Sequence, residues 1–384
     1  MSRLDFTPEE FADRKRRVRQ AMQADGLDWL VLVHPVSIHW LTGSDAKSYQ
    51  AFQCLLVSAA TPDLTIITRE SERNEFSDDA WVDTLITWGG GYPQDPLEVF
   101  KAAAQASNLR AGRVALEVPA YYLHPHHYAQ LKEWLGGALV QDGTSLVHDL
   151  KMVKSPAELD CIRRAGAIAD QAMARFAGSL HEGQSELEAA GEVYHALLTA
   201  GSGLPASTLN LVAGERSGFS HGAPTTRRFR KGDFGNIEYG ATCKRYTATL
   251  GRQFCLGEPT ARMRDLYDIV RAASDACMRE MKAGVPAVVP HEAACRVIAQ
   301  AGLDRFRIHT TGYGLAPGFP PSWGEPVNMF GGNPYALRAG MVVSVEPPVF
   351  IGQEKLGARI IDNVVVTDDG VEILSSFSRD LIVV

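Results

Sequence analysis

Several things are scarce in this chain of 384 residues, and each scarcity closes a functional class. There is no run of about 18 uncharged apolar residues, so the sequence offers no candidate membrane span. Basic residues are not in excess: 38 Lys and Arg face 45 Asp and Glu, for a net charge of −7. That balance argues against a nucleic acid or an anionic membrane as partner, because both select a basic face. The six cysteines, Cys54, Cys161, Cys243, Cys255, Cys277 and Cys295, include no Cys-x-x-Cys pair. Neither a disulfide framework nor a zinc knuckle is expected from such spacing, and reduced thiols of a cytoplasmic protein are the simpler account. The first residues, Met1-Ser2-Arg3-Leu4-Asp5-Phe6, contain no apolar h-region of a signal peptide. Low-complexity tracts and short-period repeats are missing too.

What is present is the composition of a globular protein, 45% hydrophobic and 22% charged, in a chain long enough for two domains. Thr7-Pro8-Glu9-Glu10 predicts a capped helix running to near Gly26. Short apolar runs at 29–33, 54–57, 64–68 and 114–118 read as buried strands, with helices at 96–106 and 127–135 between them. An α/β domain over 1–150 follows. Ser155-Pro156-Ala157-Glu158 opens a second capped helix, and a second domain, 151–384, is expected to begin just before it. Beyond it, helices near 185–200, 260–282 and 290–301 alternate with strands, and Asp368-Asp369-Gly370 reads as a turn between two of them. The fold class is therefore α+β.

Chemistry gathers in the second domain. The phrases are Gly235-Asn236-Ile237-Glu238-Tyr239-Gly240, Tyr246-Thr247-Ala248-Thr249-Leu250-Gly251-Arg252, His309-Thr310-Thr311-Gly312-Tyr313-Gly314, Ser344-Val345-Glu346-Pro347 and Arg359-Ile360-Ile361-Asp362. His221 begins a further one, His221-Gly222-Ala223-Pro224-Thr225-Thr226-Arg227, which runs on to Lys231-Gly232-Asp233. An imidazole titrates near neutral pH and moves protons both ways, so His221 is a candidate acid/base. Two carboxylates buried together need a cation between them or a proton on one of them. A planar amidinium or guanidinium suits carboxylates. His124-Pro125-His126-His127 has a proline and no nearby acid, and reads as a helix entry rather than a metal site.

In order and spacing these phrases resemble the creatinase/aminopeptidase P/methionine aminopeptidase family, with a creatinase-type N-terminal domain and a pita-bread catalytic domain. Lys151-Met152-Val153-Lys154-Ser155 resembles the family's entry to the second domain, and Ile38-His39-Trp40-Leu41-Thr42-Gly43 a motif of its first. Metal-using members carry Asp, Asp, His, Glu and Glu at the positions of Glu238, Thr249, Tyr313, Glu346 and Ile361, so no metal and no cofactor is expected here. The His221 phrase is similar to creatinase, whose histidine there is the catalytic acid/base. Glu238 to Tyr246, and Gly312 to Glu325, resemble the ectoine hydrolases, which open a cyclic amidine through a covalent glutamate intermediate without a metal. The resemblance implies Glu238 as nucleophile, His221 as proton shuttle and Glu346 as electrostatic partner. It also implies Tyr246, His309, Tyr313, Trp323 and Arg359 as substrate-facing groups. Family dimers bring one subunit's first domain to the partner's site, which makes Lys47, with Asp45, a candidate for substrate binding across a homodimer. The segment Ser44 to Gln50 departs from the aromatic-rich one of the ectoine hydrolases, so the substrate is expected to be a small cationic or zwitterionic molecule rather than ectoine in particular. Two alternatives stand beside this: a metal-dependent Xaa-Pro peptidase or lyase of the same fold, and a non-catalytic binding protein.

Overall fold

A computed structural model describes residues 3–384. The chain divides into two compact units, the first ending at Lys151 and the second running from Met152 to Val384.

The first unit is one sheet covered on both faces. Its strands are β1 (Trp29–Leu32), β2 (Cys54–Ser58), β3 (Leu64–Arg69), β4 (Thr84–Trp88), β5 (Val114–Leu116) and β6 (Leu139–Asp142), in the order β4-β3-β2-β1-β5-β6. Alternation along β1 sends Leu30 and Leu32 into one apolar cluster and Val31 into another, so the strand reads as an unbroken hydrophobic run. Its helices are α1 (Pro8–Ala24), α2 (Pro35–Thr42), α3 (Arg73–Asp79), α4 (Pro96–Ala106), α5 (Pro125–Leu135) and α6 (Thr144–Lys151). Thr7 caps α1 through Glu10 N, but the Glu10 carboxylate turns away to Arg14, so the expected capping box is half made. His124 caps α5 with its own Nδ1, which is what the His-Pro-His-His phrase does. The strand expected over 114–118 stops at Leu116. Glu117 keeps one backbone bond, its N–H donating to the Val31 carbonyl at 2.9 Å, and its carboxylate accepts from the backbone N–H groups of Val33 and His34, 2.8 and 2.7 Å away, just before α2.

The second unit opens with α7 (Pro156–Ser179) and α8 (Glu186–Thr199), each with a complete capping box, at Ser155/Glu158 and Ser185/Glu188. A curved sheet follows: β7 (Asn210–Ala213), β8 (Phe234–Cys243), β9 (Tyr246–Cys255), then helices α9 (Ala261–Glu280) and α10 (Val288–Gln300). The sheet resumes with β10 (Gly312–Phe319), β11 (Ser322–Met329), β12 (Val342–Val345), β15 (Asp362–Val366), β16 (Val371–Ile373) and β17 (Ile382–Val383). A separate ribbon, β13 (Val349–Ile351) and β14 (Leu356–Ala358), stands between β12 and β15. The expected turn at Asp368–Gly370 joins β15 to β16.

The long hairpin β8–β9 decides where the chemistry goes. Ile237, Tyr239 and Ala241 on β8, with Leu250 and Phe254 on β9, pack under α7 and α8. Residues of the other parity, Glu238 and Gly240 with their cross-strand partners Gly251 and Thr249, therefore face the opposite way.

Candidate active site

On that opposite face the structure assembles side chains from seven separate segments. Glu238, 4% exposed, sits opposite Gly251 in the β8–β9 ladder. Its Oε2 accepts from Asn210 Nδ2 at 3.0 Å and from the guanidinium of Arg359. Arg359, equally buried, also donates to the carbonyl oxygen of Ser220, the residue before His221. One guanidinium thus ties the candidate nucleophile to the histidine loop. The Oε1 of Glu238 carries no hydrogen bond.

His221 is solvent-exposed, and its ring stands 5.3 Å from that of His309, edge to face. Partial desolvation by the surrounding loop, then the charge of Arg359, hold the His221 imidazole below its ordinary range, against a smaller upward pull from Glu238. His309 is lowered for the same two reasons. Both rings are therefore neutral near pH 7, as a proton acceptor must be. The rest of the His221 phrase braces its loop. Arg227 forks onto Asp233 at 2.7 and 2.8 Å, and Thr225 donates from its hydroxyl and its backbone N–H to the buried Glu186.

Glu346 is 1% exposed, and neither carboxyl oxygen makes a well-formed hydrogen bond among the described residues; the buried Ser344 hydroxyl is the one side-chain donor near enough to act on it. His309 Nδ1 lies 3.8 Å from its Oε1, while that nitrogen is also 3.1 Å from the Thr310 carbonyl. Burial raises its carboxyl to about 8, helped by the charge of Glu238 and opposed by Arg359 and by the Ser344 hydroxyl. Tyr313 is close enough to feel both carboxylates. Its hydroxyl accepts from Trp323 Nε1 at 3.1 Å, which leaves the phenolic proton for another acceptor. Trp323 lies on Gly240: a Cβ there would meet the indole at 3.0 Å, so the glycine makes room for it.

Two sequence expectations are corrected. Tyr246 does not join the group. It lies three residues from Thr249 on the same strand, so alternation turns it to the opposite face, where its hydroxyl donates to Glu158 at 2.6 Å. Arg359 binds Glu238 and the Ser220 carbonyl, so it is an internal counter-ion rather than a group held out to substrate. Lys47 belongs to the first unit, exposed just before a short 3-10 turn. Asp362 points away from the Ile361 side, into a buried pair with Arg252. Asn210, Ser220 and Asn363 escaped the sequence reading. None stands in a recognisable phrase, and only the strand register brings Asn210 to Glu238 and Asn363 to Thr249.

The residues do not fit a divalent-metal cage. At the five positions, the Thr249 hydroxyl accepts from Asn363 and the Tyr313 oxygen is held by Trp323. The Ile361 side chain packs on Gly251, within 2.9 Å of where a Cβ would stand. A guanidinium already lies against Glu238. Two carboxyls beside a fixed cation are a poor donor set for a transition ion. No group of three or more His, Cys, Asp or Glu side chains suited to a metal occurs among the described residues.

Comparison with known proteins places both units. Residues 160–368 match the model of metallopeptidase family M24, and 14–153 match the creatinase/prolidase N-terminal domain. The probable dipeptidase PepE of Mycobacterium tuberculosis is 28% identical over 99% of this chain and 98% of its own. The ectoine hydrolase of Halomonas elongata is 27% identical over 99% and 98%. Among solved structures, the dipeptidase PepE of Mycobacterium ulcerans superposes with a TM-score of 0.86, at 27% identity over 99% of both chains.

Proposed function

The chain belongs to metallopeptidase family M24, with a creatinase-type N-terminal domain and a pita-bread catalytic domain, and from that premise we propose the chemistry of its altered site. It is a hydrolase that opens a C–N bond of a small amidine, guanidine or cyclic amide, in the manner of an ectoine hydrolase or creatinase, without a metal ion. The observation that carries this reading is the pair of unlike oxygens on Glu238. Oε2 is fixed by Arg359 and Asn210, while Oε1 is unbonded on the face that holds His221, His309 and Glu346.

The scheme has two steps. Glu238 Oε1 adds to the amidinium carbon. His221, neutral at rest, takes a proton from the retained nitrogen of the adduct and hands it to the departing nitrogen, whose C–N bond breaks as it leaves as an amine. A water that has given a proton to His221 then attacks the enzyme-bound carbon and releases Glu238. One water is consumed, and the product is an amide or a urea. Glu346 accepts hydrogen bonds from the substrate's N–H groups, and the Tyr313 hydroxyl donates toward the tetrahedral centre. Trp323 forms a wall beside them. A homodimer in which the partner's first domain brings Lys47 and Asp45 to the site completes the proposal.

Dipeptidase relatives favour a second reading, a metal-dependent peptidase. It requires ligands at Thr249, Tyr313 and Ile361 that these side chains do not supply. A thermal-shift screen separates the two, because a ligand of the native state raises the melting temperature. Ectoine, hydroxyectoine, creatine and acetamidine should include at least one that stabilises the metal-free protein. Stabilisation by none of them, with stabilisation by a Xaa-Pro dipeptide plus Mn²⁺, would reject the amidine reading.

A further inference from the structure

Among the described residues Glu346 stands out as a carboxyl with 1% exposure, neither oxygen in a well-formed hydrogen bond and only the Ser344 hydroxyl beside it to donate. Buried polar atoms are nearly always bonded, and an exception marks a place where something else binds. The charges facing it come from every element packed round it. They are Glu238 on β8, Arg359 after β14, His309 before β10 and Tyr313 on β10, with His221 behind His309. Arg359 is committed to Glu238 and to the Ser220 carbonyl, so it neutralises the first carboxylate and does not bond the second. His309 does not bond it either: its Nδ1 is 3.8 Å from Glu346 but nearer the Thr310 carbonyl. With neutral imidazoles and an un-ionised phenol, the set balances only if Glu346 carries a proton.

Resting on the cation reading above, we propose that a cationic substrate enters this site by exchange with a proton on Glu346. The free protein holds that proton, and it leaves to solvent when an amidinium or guanidinium settles against the carboxyl. The bookkeeping is simple: the O–H bond of Glu346 breaks, the proton goes to buffer, and the ligand's N–H groups donate to the two oxygens. The substrate class narrows accordingly, to molecules carrying one planar N–H-rich cation with at least two donors. Binding tightens as pH rises toward the range where Glu346 ionises by itself, by up to about tenfold per pH unit for one proton exchanged. Below that range, proton-coupled entry keeps the site neutral in both states, so the buried carboxyl is not left charged without a partner.

The test is calorimetric titration of the full chain with acetamidinium, at pH 7 in phosphate and in Tris, whose ionisation enthalpies differ. The expected result is close to one proton released per cation bound at pH 7 and almost none at pH 9.5. E346Q, near in shape and checked for native circular dichroism, should bind without release. Binding with no release at pH 7, or release that persists in E346Q, overturns the exchange while leaving the cation site standing. Acetamidinium and guanidinium both failing to bind at either pH overturns the cation reading itself, and the exchange with it.

Discussion

Replacing Glu346 by Gln changes one atom and removes one titration, so its effect on stability can be worked from the structure. In the folded chain the carboxyl holds its proton to about pH 8, against an ordinary value of 4.5. Between those values the native state binds one proton more than the unfolded state, so stability falls as pH rises. The contribution is fully present below about pH 4.5 and lost by the time pH passes 8. Each pH unit is worth about 1.4 kcal/mol, so by pH 7 about 3 kcal/mol has gone. A glutamine at this position does not titrate and avoids that loss. The melting temperature of E346Q should therefore match the wild type near pH 4.5 and exceed it by roughly 6–12 °C at pH 7, at 2–4 °C per kcal/mol for a unit of this size. Differential scanning calorimetry of both proteins at pH 5, 6, 7 and 8 reads the gap directly. The lowered imidazoles of His221 and His309 act in the opposite sense, but equally in both proteins, so they cancel in the difference. A gap that stays constant with pH would show that Glu346 is ionised in the folded chain, and the reasoning would fail.

Three further outcomes follow from the same geometry. His221→Asn should lower kcat on the true substrate by about 10²–10⁴-fold while the ligand-induced thermal shift is kept, and unchanged turnover would remove His221 from the acid/base role. Arg359→Lys cannot span both Glu238 and the Ser220 carbonyl with one rigid fork, so turnover should drop more than binding, read as a kcat change larger than the KM change. Gly240→Ala places a methyl 3.0 Å from the Trp323 indole and 3.1 Å from Thr247, and should destabilise the chain by about 1–3 kcal/mol in urea unfolding; a neutral result would mean that the indole is free to move.

Parts of this structure were legible from local sequence. Ser155 with a glutamate three residues on gave α7, because a cap is decided within one turn; the same signal stands at Ser185 and Glu188 for α8 but went unread. The apolar runs of β1 and β2 gave strands buried on both faces. Tyr246 shows a misreading that the sequence itself could have prevented: once 246–255 reads as one strand, an odd spacing from Thr249 puts it on the other face. The Glu238–Arg359 pair is different. It spans 121 residues and depends on where the β13–β14 ribbon delivers Arg359. No local pattern encodes that, nor the register that sets Asn210 against Glu238. Ile361 was legible as a lost ligand, yet its packing on Gly251 was not, since that needs the bridge between the two chain segments. Glu238 and Glu346 looked alike in sequence, and the structure makes them unlike: one fixed and neutralised by an arginine, the other buried and unbonded.

Catalysis by side chains alone is the central proposal for this site. The direct measurement is turnover of the best amidine from the thermal screen by protein dialysed against EDTA, with metal content determined on the same sample by plasma mass spectrometry. Full turnover with far less than one transition-metal ion per chain is the predicted result. Loss of activity on dialysis, restored by a stoichiometric amount of Mn²⁺, Co²⁺ or Zn²⁺, would contradict it.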